Sequence, residues 1–256
     1  MLPLGFTIAE GSSVFDSQPI VAIATGLARK SRNRKTGAVV QVYVLLKDVL
    51  PSAALASHSD SSVCGNCRHR VSGLGTCYVD VVRGADVVWR SFKAGLYPPI
   101  VPDVGFEPGS CFRVTAYGDC AAMPYENWKP FLGFARKADC AVLGYTHNWR
   151  HCDTRFQGFC MASVETTNEQ REAAAAGWRT FRIRMPNAAL QAGEVQCPAD
   201  THADVFALCG VKPGTVTCDI CRKCVGGTVG EHVSLYPHGV NFKKTALTSW
   251  LKRATS

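Results

Sequence analysis

The stretch FCMASVETTNEQREAAAAGWRTFRIRM (159–185) decides the fold class. FCMASVE (159–165) is a short apolar run of the length and composition of a strand. TTNEQREAAAAG (166–177) reads as a helix. Thr167 and Gln170 form a candidate capping box, the alanines favour a helix interior, and Gly177 suits the position just past the last turn. RTFRIRM (179–185) alternates, placing Phe181, Ile183 and Met185 on one face. Two strands joined by a helical crossover are expected to lie parallel.

The same alternation extends upstream. AVVQVYVLL (38–46) has the look of a strand buried on both faces. ADVVWRSFKAG (85–95) places Val88, Phe92 and either Trp89 or Val87 on one helical stripe. CFRVTAYG (111–118) and CAVLGYT (140–146) read as strands. Between them, YENWKPFLGFARKA (125–138) has helical spacing through Trp128, Phe131, Leu132 and Ala135. Pro130 is expected to start that helix, because an interior proline costs about 3 kcal/mol. Trp128, Trp178 and Phe181 are assigned to the core. The pattern predicts an α/β protein with a mainly parallel sheet, as a (β/α) barrel-like body or partial barrel, with a doubly wound open sheet as the alternative. Residues 1–37 read as a basic N-terminal arm, 38–186 as the body, and 187–256 as a Cys-rich, metal-stapled appendage packed on it.

Bulk composition bounds the function. The chain has 256 residues, 46% hydrophobic and 19% charged, enough to bury a core without help. No repeat or heptad pattern sets an oligomeric state. The apolar run PIVAIATGLA (19–28) is about half as long as a membrane span requires. Its positive charges follow it and Asp16 precedes it, which argues against a signal peptide. No membrane partner and a cytoplasmic location are expected. There are 13 cysteines, an odd number that cannot pair completely, and in a reducing compartment they divide into core residues and metal ligands. The net charge is +8, with Arg29, Lys30, Arg32, Arg34 and Lys35 in one cluster and Lys243, Lys244, Lys252 and Arg253 in another. Such clusters attract phosphate, so nucleic acid is a candidate partner.

In TCDICRKCVGG (217–227), Cys218, Cys221 and Cys224 stand at equal gaps. C-x2-C-x2-C is the run that ligates an iron–sulfur cluster, with a fourth cysteine elsewhere, here Cys197 before Pro198. Zinc suits the same four thiolates, and Gly226-Gly227 suits a zinc knuckle. Cys209 is an alternative to Cys197 in either case. Cys64, Cys67 and Cys77 form a second set, which suits an iron–sulfur centre with an open site, or a zinc closed by His58 or His69. Cys111, Cys140 and Cys160 fall within apolar strands and read as core; Cys120 and Cys152 fall in loops.

Chemistry in parallel α/β folds collects where strands meet the loops that follow them. That rule gathers the Cys64–Cys77 loop, Asp119, His147, Glu165 and Cys197 at one rim. His147 and His151, four apart, are a candidate metal pair, and Asp119, His147 and Glu165 are candidate catalytic residues.

KTGAVVQVYVL, SSVCGNCRHR, GTCYV, YGDCAAMP, GYTHNW, FCMASVE, GWRTFRI, QCPAD and CDICRKCVGG together resemble the phage and prophage family called gene product 88. That family has no established activity, so the resemblance implies phage or mobile-element origin in a bacterial host. A cysteine set after the first strand ending in Cys-Tyr also resembles the cluster loop of radical S-adenosylmethionine barrels. Those enzymes space their cysteines three then two residues apart, whereas here the gaps are two and nine. Together these features lead to the expectation of an iron–sulfur metalloenzyme acting on a nucleotide or nucleic acid, with S-adenosylmethionine as a candidate cofactor. The alternative is a non-enzymatic, zinc-stabilised nucleic-acid-binding protein.

Overall fold

The structure, a computed structural model, describes residues 3–28, 31, 35–101, 106–200, 208, 210–212, 214–238 and 241–255. It is an α/β fold; the described residues form ten strands in two five-stranded sheets. The first sheet runs in chain order: β1 (Gly5–Ser12), β2 (Pro19–Thr25), β3 (Val40–Leu46), β4 (Cys111–Tyr117) and β5 (Ala141–Leu143). β1 to β3 are antiparallel neighbours, and β3 to β5 are parallel. The second sheet is parallel throughout and joins β6 (Tyr145–Thr146), β7 (Met161–Val164), β8 (Thr180–Ile183), β10 (His232–Leu235) and β9 (Glu194–Gln196), in that order.

The parallel neighbours are joined as the sequence implies. Helices α1 (Pro51–Ser57), α2 (Ser61–Cys64) and α3 (Ala85–Lys93) lie between β3 and β4. Helix α4 (Tyr125–Lys137) lies between β4 and β5, and α5 (Thr167–Ala175) between β7 and β8. On α3 the stripe uses Val88 and Trp89, whose indole N–H donates to the Leu46 carbonyl, while Val87 faces solvent. Trp128 and Phe131 are fully buried on α4, among the aromatic rings that bind this helix to the first sheet.

Several expectations change. Residues 5–25 of the supposed arm form two strands whose apolar side chains, including Phe6, Ile20 and Ile23, belong to the main core. β9 and β10 extend the second sheet, so the region beyond residue 186 is part of the fold's framework rather than only an appendage, and residues 241–255 form a helix. α4 begins at Tyr125 with Pro130 inside it. Proline removes one helical hydrogen bond there, but burial of Trp128 on the turn before it holds the earlier turn helical. The capping box sits one residue earlier than expected. Thr166 accepts from Glu169 N–H, and the Glu169 carboxylate accepts from Thr166 N–H. Gln170 is instead buried. Gly177 has φ +83° past the helix end, as its position implied.

The run 140–146 is two strands, not one, and breaks at Gly144. A Cβ at that residue would lie 2.4 Å from Val114 Cγ2 and 2.8 Å from Cys160 Sγ. Only glycine lets the chain pass from the first sheet to the second at this approach. Among the described residues, no helix is long and apolar enough to cross a membrane.

A thiol-walled cavity and a histidine–carboxylate cluster

Alternate residues of four strands face one cavity of about 420 Å³. β4 contributes Arg113, Thr115 and Tyr117, with Ala116 added where its register with β3 shifts; β6 contributes Tyr145; β7 contributes Ser163; β8 contributes Phe181 and Ile183. The two-residue period of the strands produces this wall, because Phe112, Val114, Ala162 and Val164 point the other way into the core. Phe181, assigned to the core by periodicity, therefore lines the cavity, where its ring lies 4.4 Å from that of Tyr145. Trp128 and Trp178 are core residues.

Cys64, Cys67 and Cys77 line the opposite wall. Cys64 ends α2, and Cys67 follows in a turn where its N–H donates to the Cys64 carbonyl at 3.2 Å. Cys77 returns alongside His69, donating to that residue's carbonyl at 2.9 Å. Burial pushes all three thiols up, Cys67 to about 12; the other two thiols push Cys64 further, and Cys67 does the same to Cys77. The set is thus gathered, yet its sulfurs do not all lie within 4.8 Å of one another. The Tyr117 hydroxyl, close to Cys64 and Cys77, is buried without a hydrogen-bond partner. Two cations serve this wall. Arg70 is paired with Asp60 at 2.7 Å, and the Lys243 ammonium donates to the Cys77 carbonyl. Lys243 belongs to the C-terminal helix Asn241–Thr255, whose Leu247 also lines the cavity.

Cys197, Cys218, Cys221 and Cys224 are likewise neighbours. Cys224 and Cys218 raise the Cys197 thiol, which burial has already pushed up, and Cys221 acts on both Cys218 and Cys224. The 217–227 segment is docked by backbone. The Cys218 N–H donates to the Lys35 carbonyl, and Val225 forms a bridge with Leu143. Gly226 has a packing reason, since a Cβ there would sit 2.1 Å from Phe159 Cα. Lys35, expected to contact phosphate, lies against this set, where its charge lowers the Cys197 and Cys218 thiols. Arg29, Lys30, Arg32, Arg34 and Cys209 lie outside the described residues.

Asp119 is a scaffold at the end of β4. One carboxylate oxygen accepts from Ala121 N–H at 2.9 Å. The other accepts from the Thr146 hydroxyl, His147 N–H and the Asn148 amide at 3.1, 2.9 and 2.9 Å. These bonds hold the end of β6 against the end of β4, which the assignment of Asp119 as a catalytic group did not foresee.

Glu165, at the end of β7, is 2% exposed. Burial alone would raise its carboxyl, but the hydrogen bond with His69 and the charges of His147, His69 and Arg68 outweigh burial and lower it. Glu165 Oε1 lies 3.1 Å from His69 Nε2 and 3.5 Å from His147 Nδ1, and Oε2 lies 3.1 Å from Arg68 Nε. His69 is thus turned toward Glu165 rather than closing the cysteine set. His58 and His151 are both exposed; among the described residues His58 forms no close donor group with the cysteines, while His151 and His147 border one small pocket. His147 and Ser163 line both the main cavity and a smaller adjoining one of about 120 Å³, which Glu165 also borders. The grouping of His69 with His147 and Glu165 escaped the sequence reading; His69 lying two residues past Cys67 was the signal for its side of the cluster.

Of the cysteines read as core, Cys111 and Cys160 are buried and Cys140 is half-buried. Cys120, read as a loop residue, is fully buried with its sulfur 3.1 Å from that of Cys160. No family model, no curated protein and no solved structure matches this chain.

Proposed function

We propose that this chain is an iron–sulfur enzyme of phage type whose reaction takes place in the thiol-walled cavity, on a substrate of the nucleotide class. One observation carries the reading: Cys64, Cys67 and Cys77 share a cavity with the inward side chains at the ends of β4, β6, β7 and β8. In this reading the curved run of parallel strands is a partial (β/α) barrel, and the cysteine loop caps its mouth.

The donor set fits a cluster better than a single ion. Two thiolates each about 2.3 Å from one tetrahedral zinc stand about 3.8 Å apart. The three sulfurs do not all lie within 4.8 Å of one another, which leaves room for ligands to different irons of one cluster. The unpartnered Tyr117 hydroxyl supports a bound group at the same wall. The raised thiols must lose protons to bind metal, and Arg70 and Lys243 are placed to balance the charge that results. Three protein ligands leave one iron of a four-iron cluster open, a position that suits a chelating cofactor such as S-adenosylmethionine, which would supply one-electron chemistry. Tyr145 and Phe181 offer flat walls for a planar base, with Arg113 beside Tyr145 at 5.9 Å to face its phosphate. Cys197, Cys218, Cys221 and Cys224 hold a second centre, iron–sulfur or zinc, that staples the knuckle to β5.

Anaerobic purification tests this reading. Iron and acid-labile sulfide, with broad visible charge-transfer absorption, are expected, and Cys64→Ser with Cys67→Ser should remove the share belonging to the cavity. A colourless, folded protein with stoichiometric zinc and no iron would overturn it, in favour of a zinc-stabilised, non-enzymatic nucleic-acid binder.

A further inference from the structure

We propose that His69, His147 and Glu165 form a separate mononuclear site for a divalent transition-metal ion of the zinc or ferrous class, bound by two imidazoles and one carboxylate. The inference rests on the spacing of three ligand atoms and on the groups that aim them, and it stands whether or not the cysteine wall holds a cluster.

The spacing is that of a metal site. One ring nitrogen each of His69 and His147 and a Glu165 oxygen all lie within 4.8 Å of one another; among the described residues no other trio of histidine, cysteine or acidic donors does. Donors about 2.0–2.1 Å from a tetrahedral ion stand about 3.4 Å apart. The two imidazole-to-carboxylate distances here are 3.1 and 3.5 Å. The rings approach edge-on, with centroids 5.3 Å apart, so both can present a nitrogen to one point.

The outer groups orient the ligands. His69 Nδ1 lies 2.7 Å from the buried Thr76 hydroxyl. With an ion bound, donation from Nδ1–H to Thr76 would free the Nε2 lone pair for the metal, the arrangement a ligating imidazole requires. Arg68 engages Glu165 Oε2 and is itself held by Glu169 and by the face of Trp250, so Oε1 remains toward the two rings. The loop carrying His147 is fixed through its backbone N–H to Asp119. Three protein ligands on a metal that takes four leave a coordination position open. His69 and His147 border the main cavity, and His147 and Glu165 border the smaller one, so the open position gives onto the space between them. A water or a substrate oxygen would bind there and be polarised by the ion. Two histidines and one carboxylate with open positions are the donor set of hydrolytic zinc and of non-haem ferrous sites.

Cobalt(II) is the probe, titrated into full-length protein stripped of metal by a chelator under reducing, anaerobic conditions. The comparison is between Cys64→Ser/Cys67→Ser protein and the same protein carrying His147→Ala. The His147 side chain is 26% exposed, so its removal leaves the core intact, and circular dichroism checks this. The histidine variant should bind one cobalt per chain fewer. The difference spectrum should show visible d–d bands without a thiolate-to-cobalt charge-transfer band, since any contribution of the C-terminal cysteines cancels. Thr76→Val, which keeps all three ligands, should weaken the same site by about 10–100-fold. Equal cobalt stoichiometry in the two proteins, or a difference spectrum with thiolate charge transfer, would overturn the proposal. Because Cys64 and Cys67 are absent from both proteins, neither outcome bears on the iron–sulfur reading.

Discussion

Asp119→Asn is the substitution whose consequence follows most directly from the geometry. The side chain is 5% exposed, and its Oδ2 accepts three hydrogen bonds. Replacing that oxygen with an amide nitrogen sets N–H groups against the His147 N–H, a backbone donor that cannot turn round. The Thr146 hydroxyl cannot fully relieve the conflict, since it already accepts from the Asn148 N–H at 3.0 Å. Reversing the new amide only moves the clash to the Ala121 N–H, which now donates to Oδ1. Each hydrogen bond to a charged group contributes about 1.5–3 kcal/mol, and each buried donor left without a partner costs about 1–3 kcal/mol. These terms overlap, because all of them act on one loop, so the expected loss is about 3–5 kcal/mol. In a chain of this size that corresponds to a fall in Tm of roughly 10 °C. Urea unfolding followed by circular dichroism should show a lower midpoint with an unchanged slope. A loss below about 1 kcal/mol would refute the reasoning, because this carboxylate would then not be what ties the end of β6 to the end of β4.

Three further outcomes follow from other parts of the molecule. Gly226→Ala should lower Tm by an amount equivalent to about 2 kcal/mol or more, since its methyl would meet the Phe159 backbone; a thermal scan matching wild type would show that the 217–227 segment does not dock as described. Burial, with help from the Lys35 charge, lowers His238 from 6.5 to about 4. The unfolded chain therefore takes up this proton first as pH falls. The stability held by the neutral ring is full above pH 6.5 and is lost progressively down to about pH 4, by at most about 3 kcal/mol. Chemical unfolding of wild type and His238→Gln across that range should give curves that converge toward acid; parallel curves would contradict the assignment. Arg182→Met leaves Glu194 charged and buried without its two-pronged partner and should cost about 3–5 kcal/mol, most of it recovered by adding Glu194→Leu; failure of the double variant to recover in urea unfolding would mean that the cost is packing rather than charge.

The extent to which the site was legible depends on how local each signal is. The grouping of Cys64 with Cys67 and of Cys218 with Cys221 and Cys224 follows from short spacing, because a tight turn brings such thiols together whatever surrounds them. The convergence of Asp119, His147 and Glu165 on one rim followed from the rule for parallel strands. Their partners did not. Asp119 faces donors on a loop 27–29 residues away, and Glu165 meets a histidine 96 residues earlier in the chain. No window of sequence contains both partners, so neither hydrogen bond has a local signature.

The sequence by itself determined the alternation of strands and helices, the cap region and Gly177 stop of α5, and the pairing of cysteines within each turn, since these depend on residues within a few positions of one another. Only the tertiary structure decided that the chain changes sheets at Gly144, where Val114 and Cys160 leave no room for a side chain. It also decided that residues 5–25 complete the first sheet rather than trail as an arm, and that Arg113, Tyr145, Ser163 and Phe181 face a cavity rather than a core. The physical reason is the same in each case. Periodicity states which residues share a face, but what lies opposite that face is supplied by segments far away in the chain.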